Sequence, residues 1–241
     1  MKDKPIIMGA ESVRAILEGR KTQTRRVVSN LDNFGLEFTH VRNVSANLNF
    51  LPLFEFSAES ITNEQLTDGA MTQIDIRSLY QIGQKLWVRE KCLVWHNLFD
   101  EHLAECIGEP TAYTDSIEWD RLVSDGKALR EVYGGNGAWR VTSPIHMPRW
   151  ASRLSLEVTD IRCERLQEIT EEDAVAEGIT ERYIAKGGAF TRVSKILHEH
   201  GEVGTLRNGY AVEWTNLNAK RGYPWESNPF VWVIEFKVVT E

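Results

Sequence analysis

The sequence lacks several features that would assign the protein to a class. Its formal net charge is −7, so it has no basic excess of the kind that lets a protein coat nucleic acid through bulk electrostatics. No apolar run approaches the ~20 residues that a membrane span needs. The apolar residues 5–8 near the start are too few for a signal peptide. We therefore expect a soluble, cytoplasmic protein with no membrane partner.

Motifs for metals and for phosphate loops are also missing. The three cysteines form no Cys-x-x-Cys pair, and their odd number fits free thiols in a reducing compartment. His198 and His200 are two positions apart and cannot share a helix face. The glycines of residues 134–137 are not followed by Lys-Ser or Lys-Thr. We expect neither a metal site nor a cofactor.

The stretch with the most chemical groups is residues 19–26, Gly-Arg-Lys-Thr-Gln-Thr-Arg-Arg. Apolar residues at helical spacing predict a short helix over residues 11–18 that ends at Gly19, and β-branched residues predict a strand over residues 22–28. The four cations thus lie at a helix-to-strand junction, where they suit an anion such as phosphate. A solvated basic turn is the alternative interpretation.

Further strands and one helix are predicted around this junction. Strands are expected at residues 5–8, 86–90 and 154–161, and the run 230–239 predicts a central strand because it begins apolar on both faces. Thr170 is a good N-cap for a helix that Gly178 would end. Glu177 would then face the negative end of the helix dipole, which is unfavourable for a carboxylate.

Three irregular regions separate these elements. We interpret residues 29–81, 96–147 and 180–209 as insertions, with strands at 35–44 and 50–56 in the first and a helical pattern near 190–198 in the third. At 241 residues and 42% hydrophobic content, the chain can bury a substantial core as one elaborated domain.

Residues 144–153 combine two prolines with arginines and an indole, and the prolines disfavour a regular helix. Arg149 and Trp150 side by side suit a pocket that stacks a base and neutralises a phosphate. Alternatively, Trp150 closes one end of a barrel. Arg89 in the predicted strand 86–90 suits ligand binding or a salt bridge with a carboxylate.

The pattern of Gly19, Lys21, Thr24 and Arg26 resembles the signature of ASCH domains, relatives of the PUA fold that are associated with RNA and nucleosides. Residues 83–90 resemble the Gly-x-x-Leu-x-Val-Arg-Glu strand of the same proteins. Many ASCH proteins have Glu at the position of Thr24, and a small bacterial amidohydrolase branch acting on N4-acetylcytidine shares the threonine.

The longer layout is similar to ASCH proteins of bacteriophages and prophages, with Met-Pro-Arg-Trp-Ala-Ser-Arg at 147–153 and a tryptophan in the last strand. The matching blocks are residues 5–26, 83–90, 148–178 and 229–239. The resemblance implies an α+β protein: a single domain over residues 1–241 with a PUA-like mixed β-barrel, short flanking helices and the three insertions.

For function, the resemblance implies a hydrolase of an acylated nucleoside amide. Thr24 would be the nucleophile and Lys21 its base, while Glu177, in a Thr-Glu-x-x-Ala-x-x-Glu stretch, would orient the lysine or protonate the leaving amine. Positions 21 and 24 have opposite parity, so this mechanism requires Lys21 to precede the strand. The expected substrate-binding residues are Arg26, Arg89, Arg149 and Trp150.

Two other functions fit the same residues. One is a PUA-like reader, in which the arginines and Trp150 hold a nucleoside, a nucleotide or a short RNA without chemistry. The other is a ribonuclease, in which Lys21 and the arginines stabilise a phosphorane-like transition state. Nothing in the composition of the insertions identifies a protein partner.

Overall fold

The computed structural model describes residues 2–34, 38–44, 52–59, 71–97, 112–113, 137–180 and 205–239. In chain order the elements are β1 (Lys4–Ile7), α1 (Ala10–Leu17), β2 (Gln23–Val27), β3 (Phe38–Asn43), β4 (Leu53–Glu59), β5 (Met71–Arg77), β6 (Lys85–Arg89), β7 (Cys92–Asn97), β8 (Ala112–Tyr113), β9 (Gly137–Thr142), β10 (Ser155–Arg165), α2 (Glu171–Ala176), α3 (Leu206–Asn218) and β11 (Phe230–Val239). The described part of the chain is therefore α+β, as expected, with more strands than helices.

The chain divides into two compact units. Unit 1 comprises Met1–Glu18, Lys85–Leu156 and Val238–Glu241, and unit 2 comprises Gly19–Gln84 and Glu157–Lys237. The expectation of a single domain with three insertions stays a prediction.

The described residues of unit 1 include a parallel strand pair and an antiparallel three-stranded sheet. β1 runs parallel to β6, with Ile6 opposite Val88, and β7 pairs antiparallel with both β8 and β9. α1 buries Val13, Ala15 and Ile16, as its apolar spacing predicts. The segment with two prolines forms two 3₁₀ turns, Pro144–His146 and Arg149–Ala151, in place of a regular helix.

Unit 2 contains β2 and most of β10 and β11, together with the antiparallel sheet β3-β4-β5. β11 lies between β10 and β2, which confirms the prediction of a central strand. Trp232 of β11 packs against two aromatic rings of β4, since Phe54 and Phe56 both contact it edge-on. β11 is antiparallel to β2, with Ile234 opposite Thr24.

The two short helices of unit 2 share one apolar core. Ala174 of α2 and Tyr210 and Trp214 of α3 pack with Val231 and Val233 of β11. α2 begins at a capping box, in which the Thr170 hydroxyl accepts from the Asp173 amide and the Asp173 carboxylate accepts from the Thr170 amide. This box fixes the start of α2 and so the direction of its carboxyl end.

Several predicted boundaries agree with the structure within one or two residues, notably those of α1, β2 and β11. Gly19 and Gly178 both have positive φ, 72° and 93°, which suits residues that end helices. β5 and the sheet β8-β7-β9 were not predicted, and the helical pattern near 190–198 lies outside the described residues. The described strands of each unit form open sheets and no closed barrel, so the expected PUA-like barrel stays a prediction.

No helix in the described part of the chain is long and apolar enough to cross a membrane.

Candidate functional site

Residues 20–22 lie against the carboxyl end of α2. The Thr22 amide donates to the Ala176 carbonyl at 2.8 Å, and Arg20 Nη1 donates to the Gly178 carbonyl at 2.8 Å. Helix carbonyls in the last turn have no partner within the helix, and the macrodipole favours cations there. The basic loop therefore caps a helix that belongs to a distant part of the sequence.

Lys21 and Glu177 form a buried ion pair at this end of the helix. Lys21 Nζ lies 2.6 Å from Glu177 Oε2, and it also donates to the Glu177 carbonyl at 2.8 Å. The exposed fractions of the two side chains are 5% and 3%. Lys21 precedes β2, as the hydrolase hypothesis requires. The carboxylate at the negative end of the helix dipole thus has a cation beside it.

Arg25 is the second cation on Glu177. Its Nη1 donates to Glu177 Oε1 at 3.1 Å, while Nη2 donates to Glu164 Oε1 at 2.6 Å and to Asp173 Oδ2 at 2.8 Å. The Arg25 side chain is fully buried. One guanidinium therefore joins a carboxylate from β10, one from the start of α2 and one from its end.

Two further side chains extend this ionic cluster. Gln23 Nε2 donates to the carbonyl and to Oδ1 of Asp173, at 3.0 and 3.1 Å. Arg162 donates from Nη2 to Asp173 Oδ1 at 2.7 Å and from Nε to Glu164 Oε2 at 3.0 Å, and it also binds Glu235. Arg162 is partly exposed, so the cluster reaches from the interior to the surface.

The cluster affects the protonation of its members. Burial alone would raise the pKa of Asp173, but the charge of Arg25 and the hydrogen bond from Gln23 lower it below its ordinary value. Burial opposes the charge on Arg25, whereas attraction to Glu177 raises the pKa of Arg25 above its ordinary value. Both groups are therefore held in their charged forms.

Tyr210 lies beside this cluster as a neutral phenol. Its ring centroid is 5.8 Å from the Arg25 guanidinium carbon. Complete burial, together with the negative charge of Glu177, raises the pKa of Tyr210 well above its ordinary value. A cation over an aromatic face is attracted by the ring quadrupole, so Tyr210 also helps to hold Arg25.

Thr24 and Arg26 point away from this cluster. Side chains alternate between the two faces of a strand, and Gln23 and Arg25 both contact Asp173. Thr24 is buried, and among the described contacts none joins its hydroxyl to Lys21 or Glu177. Of the three expected catalytic residues, the structure brings two together, Lys21 and Glu177.

The other expected binding residues belong to unit 1, and two of them share an aromatic ring. The guanidinium carbon of Arg89 lies 4.5 Å from the Trp87 ring centroid, and that of Arg149 lies 5.9 Å from it. Arg89 Nη1 donates to the Ile145 carbonyl at 3.1 Å, and Arg149 Nη2 lies 3.7 Å from Asp3 Oδ2. The structure thus places Arg89 against an aromatic ring and a carbonyl, and its expected role in ligand binding stays a prediction.

Trp150 is 47% exposed, and its neighbour Ile145 in the same segment is 61% exposed. An indole that closed the end of a barrel would be buried, so the expectation of a plug is wrong for this residue. A half-exposed indole near arginines is available to stack on a ligand.

Sequence reasoning missed the central role of Arg25 in the cluster and the carboxylates around it. In the sequence analysis, Arg25 was treated only as one of four neighbouring cations. The parity of positions 23 and 25 was the available signal, because residues two apart in a strand share a face. No pattern marked Glu164 or Asp173, whose contacts depend on how β10 and α2 are folded.

Other candidate chemistry is absent from the part of the chain that the structure describes. There, no three or more His, Cys, Asp or Glu side chains are placed to hold a metal ion. Cys92 and Cys163 are free thiols, and burial raises the pKa of Cys163, which disfavours its reactive thiolate.

Comparisons with known proteins add little. No family model matches the chain, and no curated protein matches it. A crystal structure of protein EF3133 from Enterococcus faecalis V583, described as DUF984, is similar over 99% of this chain and 77% of that chain, with a TM-score of 0.38 and 10% identity. A similarity at this level carries no argument about fold or function.

Proposed function

We propose that this protein is an ASCH-like hydrolase of the amide bond of an acylated nucleoside, similar to N4-acetylcytidine, and that its fold is an elaborated PUA-like barrel. The buried pair of Lys21 and Glu177 is the observation that supports this proposal best. Removing two charges from water costs several kcal/mol per ion by order of magnitude, so such a pair is weak evidence for a stabilising role. Burial and neighbouring charges are also the means by which active sites prepare groups for proton transfer.

In the proposed reaction, the neutral amine of Lys21 takes the proton of the Thr24 hydroxyl as its oxygen attacks the amide carbonyl. The C–N bond then breaks, the leaving amine takes this proton back from Lys21, and water hydrolyses the acyl ester on Thr24. Glu177 orients Lys21 and balances the charge that the amine gains. Arg26 shares the strand face of Thr24 by parity, and it would bind the substrate there.

The orientation of Thr24 sets the sharpest test of this mechanism. Gln23 and Arg25 face the ionic cluster that also holds Lys21 Nζ, so the mechanism requires the Lys21 amine to reach the Thr24 hydroxyl from the loop before β2. Thr24→Ser keeps a hydroxyl and Thr24→Val removes it at nearly constant volume. If the hydroxyl is the nucleophile, Thr24→Ser retains turnover and Thr24→Val loses it.

The first experiment is mass-spectrometric turnover of N4-acetylcytidine and a panel of other acylated nucleosides. We expect Lys21→Ala and Glu177→Gln to lower kcat by about 10²- to 10⁴-fold, the range for loss of a general acid or base. Lys220→Ala is the matched control, because Lys220 is an exposed lysine in unit 2. Turnover that survives in Lys21→Ala would contradict the proposal.

A reader of nucleotides is the second candidate, and the two arginines at Trp87 favour it. A reader would bind nucleotides without turning over any member of the panel. Binding would then depend on Trp150 and Arg149, and Lys21→Ala would leave it almost unchanged. The ribonuclease alternative predicts cleavage of RNA that survives Thr24→Val.

A further inference from the structure

Arg25 distributes its hydrogen bonds over three carboxylates. Neither the capping of α2 nor catalysis by Lys21 requires this distribution. One end of its guanidinium, Nη1, binds Glu177 Oε1, and the other, Nη2, binds Glu164 and Asp173. Glu177 Oε2 is left for Lys21. The two oxygens of one carboxylate are thus assigned to two different cations.

This division fixes the rotation of the Glu177 carboxylate. A carboxylate held through one oxygen can turn about its last carbon-carbon bond, because that torsion is broad. With Arg25 on Oε1, a turn would break the bond from Arg25 and the bond from Lys21 together. The planar fork of an arginine imposes such geometry better than the single ammonium of a lysine.

Arg25 is itself anchored at its other end. Nη2 lies 2.6 Å from Glu164 Oε1 on β10 and 2.8 Å from Asp173 Oδ2 at the start of α2. Glu164 and Asp173 are in turn bound by Arg162. The guanidinium therefore links a strand and a helix and cannot follow Glu177 if that side chain moves.

Stability alone does not explain this arrangement. Within the described part of the structure, the buried Arg25 Nε has no hydrogen-bond partner. An unsatisfied buried donor is unfavourable, and apolar residues of similar size often replace buried ion pairs without loss of stability. Buried donors that stay unsatisfied call for an explanation such as strain or function.

We infer that Arg25 is a positioning residue, which holds the Glu177 carboxylate in the one orientation that presents Oε2 to Lys21. The inference rests on the proposed function, since it gives Arg25 a role in the site of Lys21 and Glu177. Arg25 contacts no reacting atom in this role and acts through Glu177.

The kinetic test is Arg25→Lys, which keeps the charge and loses the fork. We expect kcat to fall by about 100-fold, the effect of a displacement on the order of 1 Å, while KM changes little. Arg162→Lys is the matched control: it changes the same cluster through Glu164 and Asp173, but Arg162 does not bind Glu177. Equal losses of kcat in the two variants, or none in Arg25→Lys, would overturn the inference.

A second readout does not depend on turnover. Acetylation of each lysine by acetic anhydride is followed by mass spectrometry of peptides, with the exposed Lys220 as the internal reference. Lys21 is protected in the wild type by burial and by its bond to Glu177. We expect Glu177→Gln and Arg25→Lys to speed the acetylation of Lys21 several-fold and Arg162→Lys to leave it unchanged.

The two readouts separate the two proposals. Absence of turnover in the wild type refutes the hydrolase, while the labelling still shows whether Arg25 holds Glu177 on Lys21. Wild-type labelling of Lys21 in Arg25→Lys, or the same increase in Arg162→Lys, refutes the positioning role. If Arg25→Lys does not fold, Glu164→Gln removes one anchor of Nη2, and it should also speed labelling of Lys21; an unchanged rate there counts equally against the role.

Discussion

The two units use arginine in opposite ways. In unit 2, Arg25 is buried, and Glu164, Asp173 and Glu177 surround it. In unit 1, Arg89 and Arg149 lie over the ring of Trp87, next to a half-exposed indole. The charge of Arg25 is neutralised by carboxylates inside the protein, whereas Arg149 is partly exposed beside the buried ring of Trp87 and can still attract an anion.

The largest effect on stability is expected when the buried arginine of unit 2 is removed. Arg25→Met leaves three carboxylates without their shared cation, which should lower the free energy of unfolding by about 3–5 kcal/mol. Denaturant unfolding followed by circular dichroism measures the change. Arg89→Met, which loses a contact with the Trp87 ring and one hydrogen bond to a carbonyl, should cost much less. Equal losses would mean that the carboxylates around Arg25 contribute little to stability.

The next largest effect concerns ligand binding at the half-exposed Trp150 of unit 1. Trp150→Ala should weaken binding of a short single-stranded oligonucleotide by about 1–3 kcal/mol, the value of one stacked base. Fluorescence anisotropy with a labelled oligonucleotide measures it at a fixed salt concentration. Leu217→Ala is a control, because Leu217 is a large exposed residue of α3 far along the sequence. If the wild type does not bind the oligonucleotide, or if Trp150→Ala binds it as well as the wild type does, Trp150 does not stack on a base.

A smaller effect concerns the helix that carries Glu177. Thr170→Ala removes the hydroxyl that accepts from the Asp173 amide, and loss of such a cap costs about 1 kcal/mol. Thermal unfolding measures this change. Thr170→Ser should restore the stability, because it keeps the acceptor; failure of serine to do so would show that the methyl group, and not the cap, matters.

The smallest effect is the dependence of stability on pH. The pKa of Asp173 is lowered in the folded protein, since Arg25 and Gln23 outweigh its burial. A lowered pKa contributes stability that is present above the unfolded value of about 3.9 and is lost as the pH falls through the folded value. The difference in unfolding free energy between the wild type and Asp173→Asn should therefore narrow below about pH 4. A constant or growing difference would mean that Arg25 does not hold this carboxylate.

Much of the local structure followed from the sequence where apolar periodicity and end signals agreed. The final strand begins and ends at the predicted residues, and Thr170 and Gly178 mark the ends of α2. β5 and the strands of the second irregular region were not predicted, although Ile74 and Ile76 of β5 alternate with polar residues. Pairing with neighbouring strands, which no local pattern records, decides their conformation.

The candidate site was predicted in part. The resemblance to ASCH proteins pointed to Lys21 and Glu177, and the structure brings these two side chains into contact. Arg25 was missed because its partners come from β10 and α2, and the pairing of distant carboxylates is a tertiary property. Trp150 was expected either to bind substrate or to close one end of a barrel, and its exposed fraction of 47% argues against the second.

The loop that caps α2 also has a consequence for the order of folding. Six residues are too few for a helix that is stable alone, because the first turn is costly and few hydrogen bonds follow it. The partners of its last carbonyls lie more than 150 residues earlier, as the 156 positions between Lys21 and Glu177 show. Contacts over such separations form late. During synthesis the basic loop leaves the ribosome long before its helix does, so the ionic cluster can assemble only after residues 162–178 have been made.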